Sequence, residues 1–181
     1  DFPSPPALLE AAARHLHAGN NQYAPMTGLP RLREQVALKV AALYGRDVNA
    51  DSEVTIVPGA TEAIFCAVQA LLRPGDEAIV LDPCYDSYEP AVALAGGRCV
   101  HVPLELPDFR VDWQRLADAI TPRTRLIFIN SPHNPSGALL SHADLDQLAA
   151  LIREREIWLI SDEVYEHLVF DGMQHASVLA H

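Results

Sequence analysis

Lysine is nearly missing from this sequence: Lys39 stands alone among 13 basic residues. A reaction that needs an amine nucleophile therefore finds one internal candidate. Cysteine is scarce as well. Cys66, Cys84 and Cys99 are odd in number and form neither a C-x-x-C pair nor a zinc-ligand spacing. That excludes a disulfide framework and leaves reduced, small buried residues as the expectation. No apolar run reaches the roughly 18 to 20 residues that a membrane-spanning helix needs, and no basic, Arg- and Ser-rich presequence opens the sequence. Both absences point to the cytoplasm. No G-x-G-x-x-G follows any candidate strand, which argues against a nicotinamide-dependent dehydrogenase. Internal repeats and low-complexity segments are absent too.

Positive charge is in deficit: 13 Lys and Arg face 24 Asp and Glu, for a formal charge of −11. A field of that sign repels nucleic acid and anionic membrane surfaces, so neither is an expected partner. Any anionic ligand must then be held by local groups. What the sequence has in quantity is apolar material, 49% of its 181 residues, enough for the core of one ordinary domain.

From residue 54 onward, short β-rich runs alternate with longer helical ones. That is the pattern of an α/β fold, with a mostly parallel sheet and helices on both faces. Strands are expected at 54–57, 77–81, 99–103, 126–130 and 157–161. Three of them, at 78–81, 126–129 and 157–160, are continuously apolar, as in strands buried on both faces. Helices are expected at 61–72, 88–95, 113–120 and 143–155. Ser141 with Asp144 three residues later reads as the capping box of the last one. Residues 5–17 and 29–44 read as two more helices with no strand between them, an N-terminal arm. Leu32, Val36, Val40 and Leu43 form an apolar stripe on the second.

In a parallel α/β sheet a ligand sits beyond the carboxyl ends of the strands. Three turns there carry chemistry. Pro58-Gly59-Ala60-Thr61-Glu62-Ala63 is a glycine turn leading into a helix, where free N–H groups, the helix dipole and the Thr61 hydroxyl make a site for a phosphate dianion. In Asn130-Ser131-Pro132-His133-Asn134-Pro135-Ser136-Gly137 two prolines stiffen the backbone and aim the Asn134 amide, while His133 reads as a turn residue. Asp162-Glu163-Val164-Tyr165 puts a carboxylate at the end of a buried strand, where it needs a cationic or hydrogen-bonding partner, with a phenol three residues on. Tyr85, in Asp82-Pro83-Cys84-Tyr85-Asp86-Ser87-Tyr88-Glu89-Pro90, projects near the same edge and could stack on a flat ring. Taken singly, each has a plain alternative: turn chemistry for the glycine turn, a self-capping Asn134, an Asp162 that caps the next turn, and a Tyr85 that packs in the core. Their joint place at strand ends favours a common ligand.

These motifs, with Asn21-Gln22-Tyr23 and Gly28-Leu29-Pro30-Leu32-Arg33 ahead of them, resemble in order and spacing the fold-type I pyridoxal phosphate enzymes, specifically the class I/II aminotransferases. The resemblance covers essentially the whole chain. It implies that Ala60 and Thr61 bind the phosphate of pyridoxal 5'-phosphate, that Tyr85 stacks on its pyridine ring, and that Asn134 and Tyr165 hydrogen-bond the phenolic oxygen. Asp162 would pair with the protonated ring nitrogen, which lets the ring accept the electron pair left by breaking a Cα–H bond. Tyr23 would reach the phosphate of a partner subunit, so a homodimer is implied. Substrates would be an L-amino acid and a 2-oxo acid, with the segment at residues 85–90 most similar to the methionine, glutamine and kynurenine branch.

The family's Schiff-base lysine and carboxylate-gripping arginine lie downstream of the Asp162 motif, beyond residue 181, and Lys39 matches neither family position. The expectation is therefore a fragment: residues 1–45 as N-terminal arm helices, and residues 46–181 as a cofactor-binding large domain without its C-terminal part or the small domain. No catalytic residue is assigned, and the isolated chain is expected to be inactive. A carbon–sulfur β-lyase of the same fold and a non-catalytic cofactor-binding module or remnant are the alternatives.

Overall fold

A computed structural model describes residues 2–181. Two helices open the chain, α1 (Pro6–His17) and α2 (Pro30–Tyr44), each with proline in its first turn, where a missing N–H costs nothing. Gly45, in the left-handed conformation, ends α2. α1 buries none of its residues, and the stripe on α2 is covered only in its middle: Val40 is buried while Leu32 and Leu43 remain exposed. Polar contacts hold α2 in place. Buried Arg33 donates to the Ala50 carbonyl at 2.7 Å and pairs with Asp51 at 3.2 Å. Lys39 and the Tyr44 hydroxyl both bond Glu166, which makes Lys39 a tether rather than a free amine.

The rest alternates as expected: α3 (Ala60–Leu71), β1 (Glu77–Asp82), α4 (Tyr88–Leu94), β2 (Arg98–Pro103), α5 (Trp113–Ala119), β3 (Thr124–Asn130), α6 (His142–Ile152) and β4 (Trp158–Asp162). A short 3-10 turn, Val178–Ala180, follows. The four strands form one parallel sheet in the order β2-β1-β3-β4. Alternation of side chains along a strand divides the core into two layers. Ala78, Val80, Leu126 and Phe128 pack on Ile64 and Val68 of α3 and Ala91 and Val92 of α4. Ile79, Leu81, Ile127 and Ile129 pack on Leu116 of α5 and Leu145 and Leu148 of α6. Helices therefore do cover both faces. The Ser141/Asp144 capping box is formed, with both reciprocal bonds present.

Three expectations need correction. Residues 54–57 are not a strand: a strand exists through its ladder, and among the described residues none runs beside this segment, whose Ile56 N–H bonds the Thr27 carbonyl at 3.0 Å instead. The apolar run at 157–160 is only partly covered: among the described residues β4 has a neighbour on one side alone, and Trp158 is 60% exposed. Cysteine burial also differs. Cys66 is exposed on α3, while Cys84 and Cys99 are half-buried, their thiols pushed up to about 11 and about 12, chiefly by burial.

Candidate cofactor site

The chain leaves β1 for β2 in one direction across the sheet and β3 for β4 in the other, so a crevice opens between the carboxyl ends of β1 and β3. Four segments meet there. The start of α3 brings Ala60 and Thr61, the turn after β1 brings Tyr85, the end of β3 and its turn bring Asn130 and Asn134, and the end of β4 brings Asp162, Val164 and Tyr165. Together they line a cleft of about 140 Å³. Six of the seven residues picked from the sequence are thus assembled in one place. Tyr23 is not among them; its side chain is fully exposed on the loop between α1 and α2.

Gly59 turns into α3 with φ of 99°, a conformation closed to most side chains, and open space surrounds the position of a Cβ there. No side chain caps this helix. The N–H groups of Ala60, Thr61 and Glu62, which have no carbonyl one turn back to bond, find no partner among the described residues. A larger hollow of about 470 Å³ lies on the α5/α6 side, between Phe109, Trp113 and Leu140. Two helix N-termini reach its wall and both are capped by an acidic or hydroxyl side chain, that of α5 by Asp112 and that of α6 by Ser141 with Asp144. The α3 start thus offers an anion free donors with no cap, whereas at the α6 start Ser141 takes the Asp144 N–H and the Asp144 carboxylate adds a negative charge.

The polar groups around the cleft are held in sequence. Asn130 Oδ1 accepts from the Asn134 N–H at 2.7 Å, and its Nδ2 donates to the Asp162 carbonyl at 2.8 Å. The Asn134 side chain does not cap its own backbone; its amide makes no hydrogen bond among the described residues and lines the cleft. Asp162 Oδ2 accepts from the Tyr88 hydroxyl at 2.7 Å, and Oδ1 accepts from the Val164 N–H at 3.2 Å. Asp162 does cap the following turn, but it also has the buried partner that its position demands. Burial first, then the bond to Asp162, drive the Tyr88 phenol well above its ordinary range, so it is the donor of that pair. The Tyr85 ring stands edge-on to Tyr88, centroids 5.8 Å apart, with its hydroxyl 3.4 Å from Thr61 Oγ1.

His133 is a turn residue, as expected. Its ring bonds the Pro83 carbonyl and Ser136 and ties the turn after β3 to the turn that carries Tyr85. Next to Asp162, Glu163 accepts from Ser161 Oγ at 2.8 Å, His175 Nε2 at 2.7 Å and the Val178 N–H at 3.1 Å, which fixes the chain after β4. Roles for Asn130, Tyr88 and Glu163 were not read from the sequence. Only Tyr88 had a usable signal: with Ala91 and Val92 it forms the apolar face of a helix, and a phenol on that face needs a buried acceptor.

An uncapped glycine-turned helix start beside an aromatic ring, an aimed amide and a strand-end carboxylate defines a site for a flat, phosphorylated cofactor on an α/β sheet. The chain belongs to the aminotransferase class I and II family, whose pattern it matches over residues 1–181. Enzymes of that family use pyridoxal phosphate. The chain is 52% identical to a methionine aminotransferase of Escherichia coli, over all of this chain and 47% of that protein. It is 46% identical to a probable N-succinyldiaminopimelate aminotransferase of Mycobacterium tuberculosis, over 97% of this chain and 45% of that one. A solved Escherichia coli structure described as a methionine aminotransferase superposes with a TM-score of 0.97, at 52% identity, over 100% of this chain and 48% of that one. An aromatic aminotransferase of Pyrococcus horikoshii gives 0.95 at 38% identity, over 99% and 48%. The chain spans about half the length of the curated relatives it matches.

The residues present fit the cofactor. Three unpartnered N–H groups at the start of α3 suit a phosphate, and the free Asn134 amide, the Tyr165 phenol and the Asp162 carboxylate share the cleft wall.

Proposed function

We propose that this chain is the cofactor-holding portion of a longer pyridoxal 5'-phosphate-dependent aminotransferase, which exchanges the amino group of an L-amino acid for the oxo group of a 2-oxo acid. Residues 1–45 serve as the N-terminal arm and residues 46–181 as the cofactor-binding large domain. The observation that carries this reading is the convergence of Ala60, Thr61, Tyr85, Asn134, Asp162 and Tyr165 on one cleft beside an uncapped helix start. Methionine is the first donor to test, because the E. coli relative bears that name and the segment at residues 85–90 resembles the same branch.

In this reading bound pyridoxal phosphate supplies an electron-accepting ring for cleavage of the substrate's Cα–H bond. The chain's own residues hold and tune it. The N–H groups of Ala60 and Thr61, the Thr61 hydroxyl and the positive end of α3 bind the phosphate. Tyr85 offers its ring face, and Asn134 and Tyr165 bond the phenolic oxygen. Asp162 keeps a proton on the ring nitrogen by pairing with it. A second copy of the chain is the partner. Tyr23 would reach its phosphate, and the uncovered α1, with Leu8, Leu9 and Leu16 exposed, supports such an interface. No described helix is long and apolar enough to cross a membrane, and the compartment that goes with this reading is the cytoplasm.

The test is a single turnover of the full-length protein loaded with pyridoxal phosphate and mixed with L-methionine. The expected product is one equivalent of the 2-oxo acid with its side chain intact. With an S-substituted L-cysteine in place of methionine, release of a thiol together with pyruvate and ammonia would assign a carbon–sulfur β-lyase instead. Tight cofactor uptake with no product would assign a binding module.

A further inference from the structure

Asp162 has a partner on each oxygen, and they differ in kind. The Val164 N–H at 3.2 Å is local backbone, two residues along the chain. Tyr88 comes from 74 residues away, on α4, with its hydroxyl 2.7 Å from Oδ2. Its ring is 2% exposed and stacks on Phe128 of β3, centroids 4.7 Å apart and planes 11° apart, with Tyr85 edge-on at 5.8 Å. Tyr88 does not line the cleft. It stands behind the carboxylate, in the layer between the sheet and α3/α4.

A tyrosine in that slot is not required by packing, since phenylalanine fills nearly the same volume and buries no hydroxyl. Among the described residues the hydroxyl has one hydrogen-bond partner, the Asp162 carboxylate. Hydrogen bonds to both oxygens fix the plane of a carboxylate, and with it the direction of the lone pairs left for a ligand. The Phe128 stack holds the donor in turn, so its position is set by core packing on β3.

We propose that Tyr88 is a positioning residue for the cofactor's ring-nitrogen partner: its buried hydroxyl orients the Asp162 carboxylate toward the cleft. This rests on the aminotransferase reading above. Tyr88 touches neither substrate nor cofactor and acts only through Asp162. In the absence of that hydroxyl the carboxylate keeps the Val164 bond alone and is free to rotate about it.

The experiment follows the ring nitrogen of 15N-labelled pyridoxal phosphate in the full-length protein by NMR across pH, with cofactor affinity measured alongside. In Tyr88→Phe the nitrogen should lose its proton at a pH about one unit lower than in the wild type, and cofactor should bind roughly tenfold more weakly, the scale of one hydrogen bond to a charged group. A 3-fluorotyrosine at position 88, a stronger donor of nearly the same shape, should move the midpoint the other way. It also keeps the test alive if Tyr88→Phe fails to fold. An unchanged nitrogen titration in folded Tyr88→Phe, or an unmoved midpoint with fluorotyrosine, overturns the proposal and leaves Tyr88 as core packing. A wild-type protein that takes up no cofactor overturns the aminotransferase reading, and this inference with it.

Discussion

His133 Nε2 lies 2.8 Å from the carbonyl oxygen of Pro83, which fixes the tautomer of a buried imidazole. A carbonyl only accepts, so Nε2 carries the hydrogen, and Nδ1 is left to accept from the Ser136 hydroxyl at 2.7 Å. The neutral ring satisfies both contacts.

Burial lowers the proton affinity of His133 below its ordinary value, and the bond to Pro83 only partly offsets this. Between the folded and the unfolded values the unfolded chain binds more protons, so stability rises with pH across that window. The contribution is complete above about pH 6.5 and is lost as pH falls below it. Urea unfolding of the full-length protein between pH 8 and 5 should show His133→Gln losing part of this dependence. Parallel wild-type and variant curves would rule out the role.

Glu77 gives a test of the same sign in a more acidic range, at the far end of the sheet. Its carboxylate is buried at the start of β1 and accepts from Thr121 at 2.6 Å, Arg98 at 2.8 Å and Arg123 at 2.7 and 3.0 Å. These bonds, Thr121 first and the two arginines next, hold it down at about 2 against an ordinary 4.5. Its stabilisation is therefore present above about pH 4.5 and is lost as pH falls toward 2. Glu77→Gln should cost about 1–3 kcal/mol at neutral pH and flatten the acid-unfolding curve, both measurable by denaturant titration. Cofactor affinity should not change, because the cleft is at the other end of the strands.

These two residues also mark what the sequence revealed and what it hid. A continuous apolar run such as 78–81 announces a buried strand, and the alternation of runs announces the sheet. The glycine turn before Ala60, the prolines around Asn134 and the strand-end Asp162 are local signals that one segment carries by itself. Partnerships across the fold are not local. Nothing in the sequence near Glu77 says that Arg98 and Arg123 will meet it, and nothing near Asp162 points to Tyr88. The run at 54–57 fails for the same reason: its composition is that of a strand, but a ladder needs a neighbour, and among the described residues it has none. At 157–160 the composition is that of a covered strand, but among the described residues β4 has a neighbour on one side alone.

Gly28 controls how the arm meets the body of the chain. A Cβ there would lie 2.5 Å from Ile56 Cβ, and φ is 93°, outside the region open to most side chains. Gly28→Ala should therefore destabilise by more than about 1 kcal/mol, since contact and conformation both oppose it. The local readout is hydrogen exchange at the Ile56 amide, whose bond to the Thr27 carbonyl lies beside the clash. Faster exchange there than at β1 and β3 is expected. A uniform change across the fold would place the effect elsewhere.

Asn130 makes two bonds of opposite sense, which only an amide can make from one planar group. Oδ1 accepts from the Asn134 N–H while Nδ2 donates to the Asp162 carbonyl, so the turn after β3 and the end of β4 are joined at the floor of the cleft. Asn130→Asp keeps the shape and the acceptor but replaces the donor with an oxygen 2.8 Å from a carbonyl oxygen. The Ser131 N–H also donates to that carbonyl, at 3.1 Å, so the β3–β4 ladder itself survives. The loss should therefore fall on the relative placement of Asn134 and Asp162, with only a small cost in stability. Pyridoxal phosphate binding to the full-length protein, measured by calorimetry, should weaken roughly tenfold, about the effect of one lost hydrogen bond plus the repulsion that replaces it. Unchanged affinity would mean that the two cleft residues are positioned independently, and the link through Asn130 would then be structural alone.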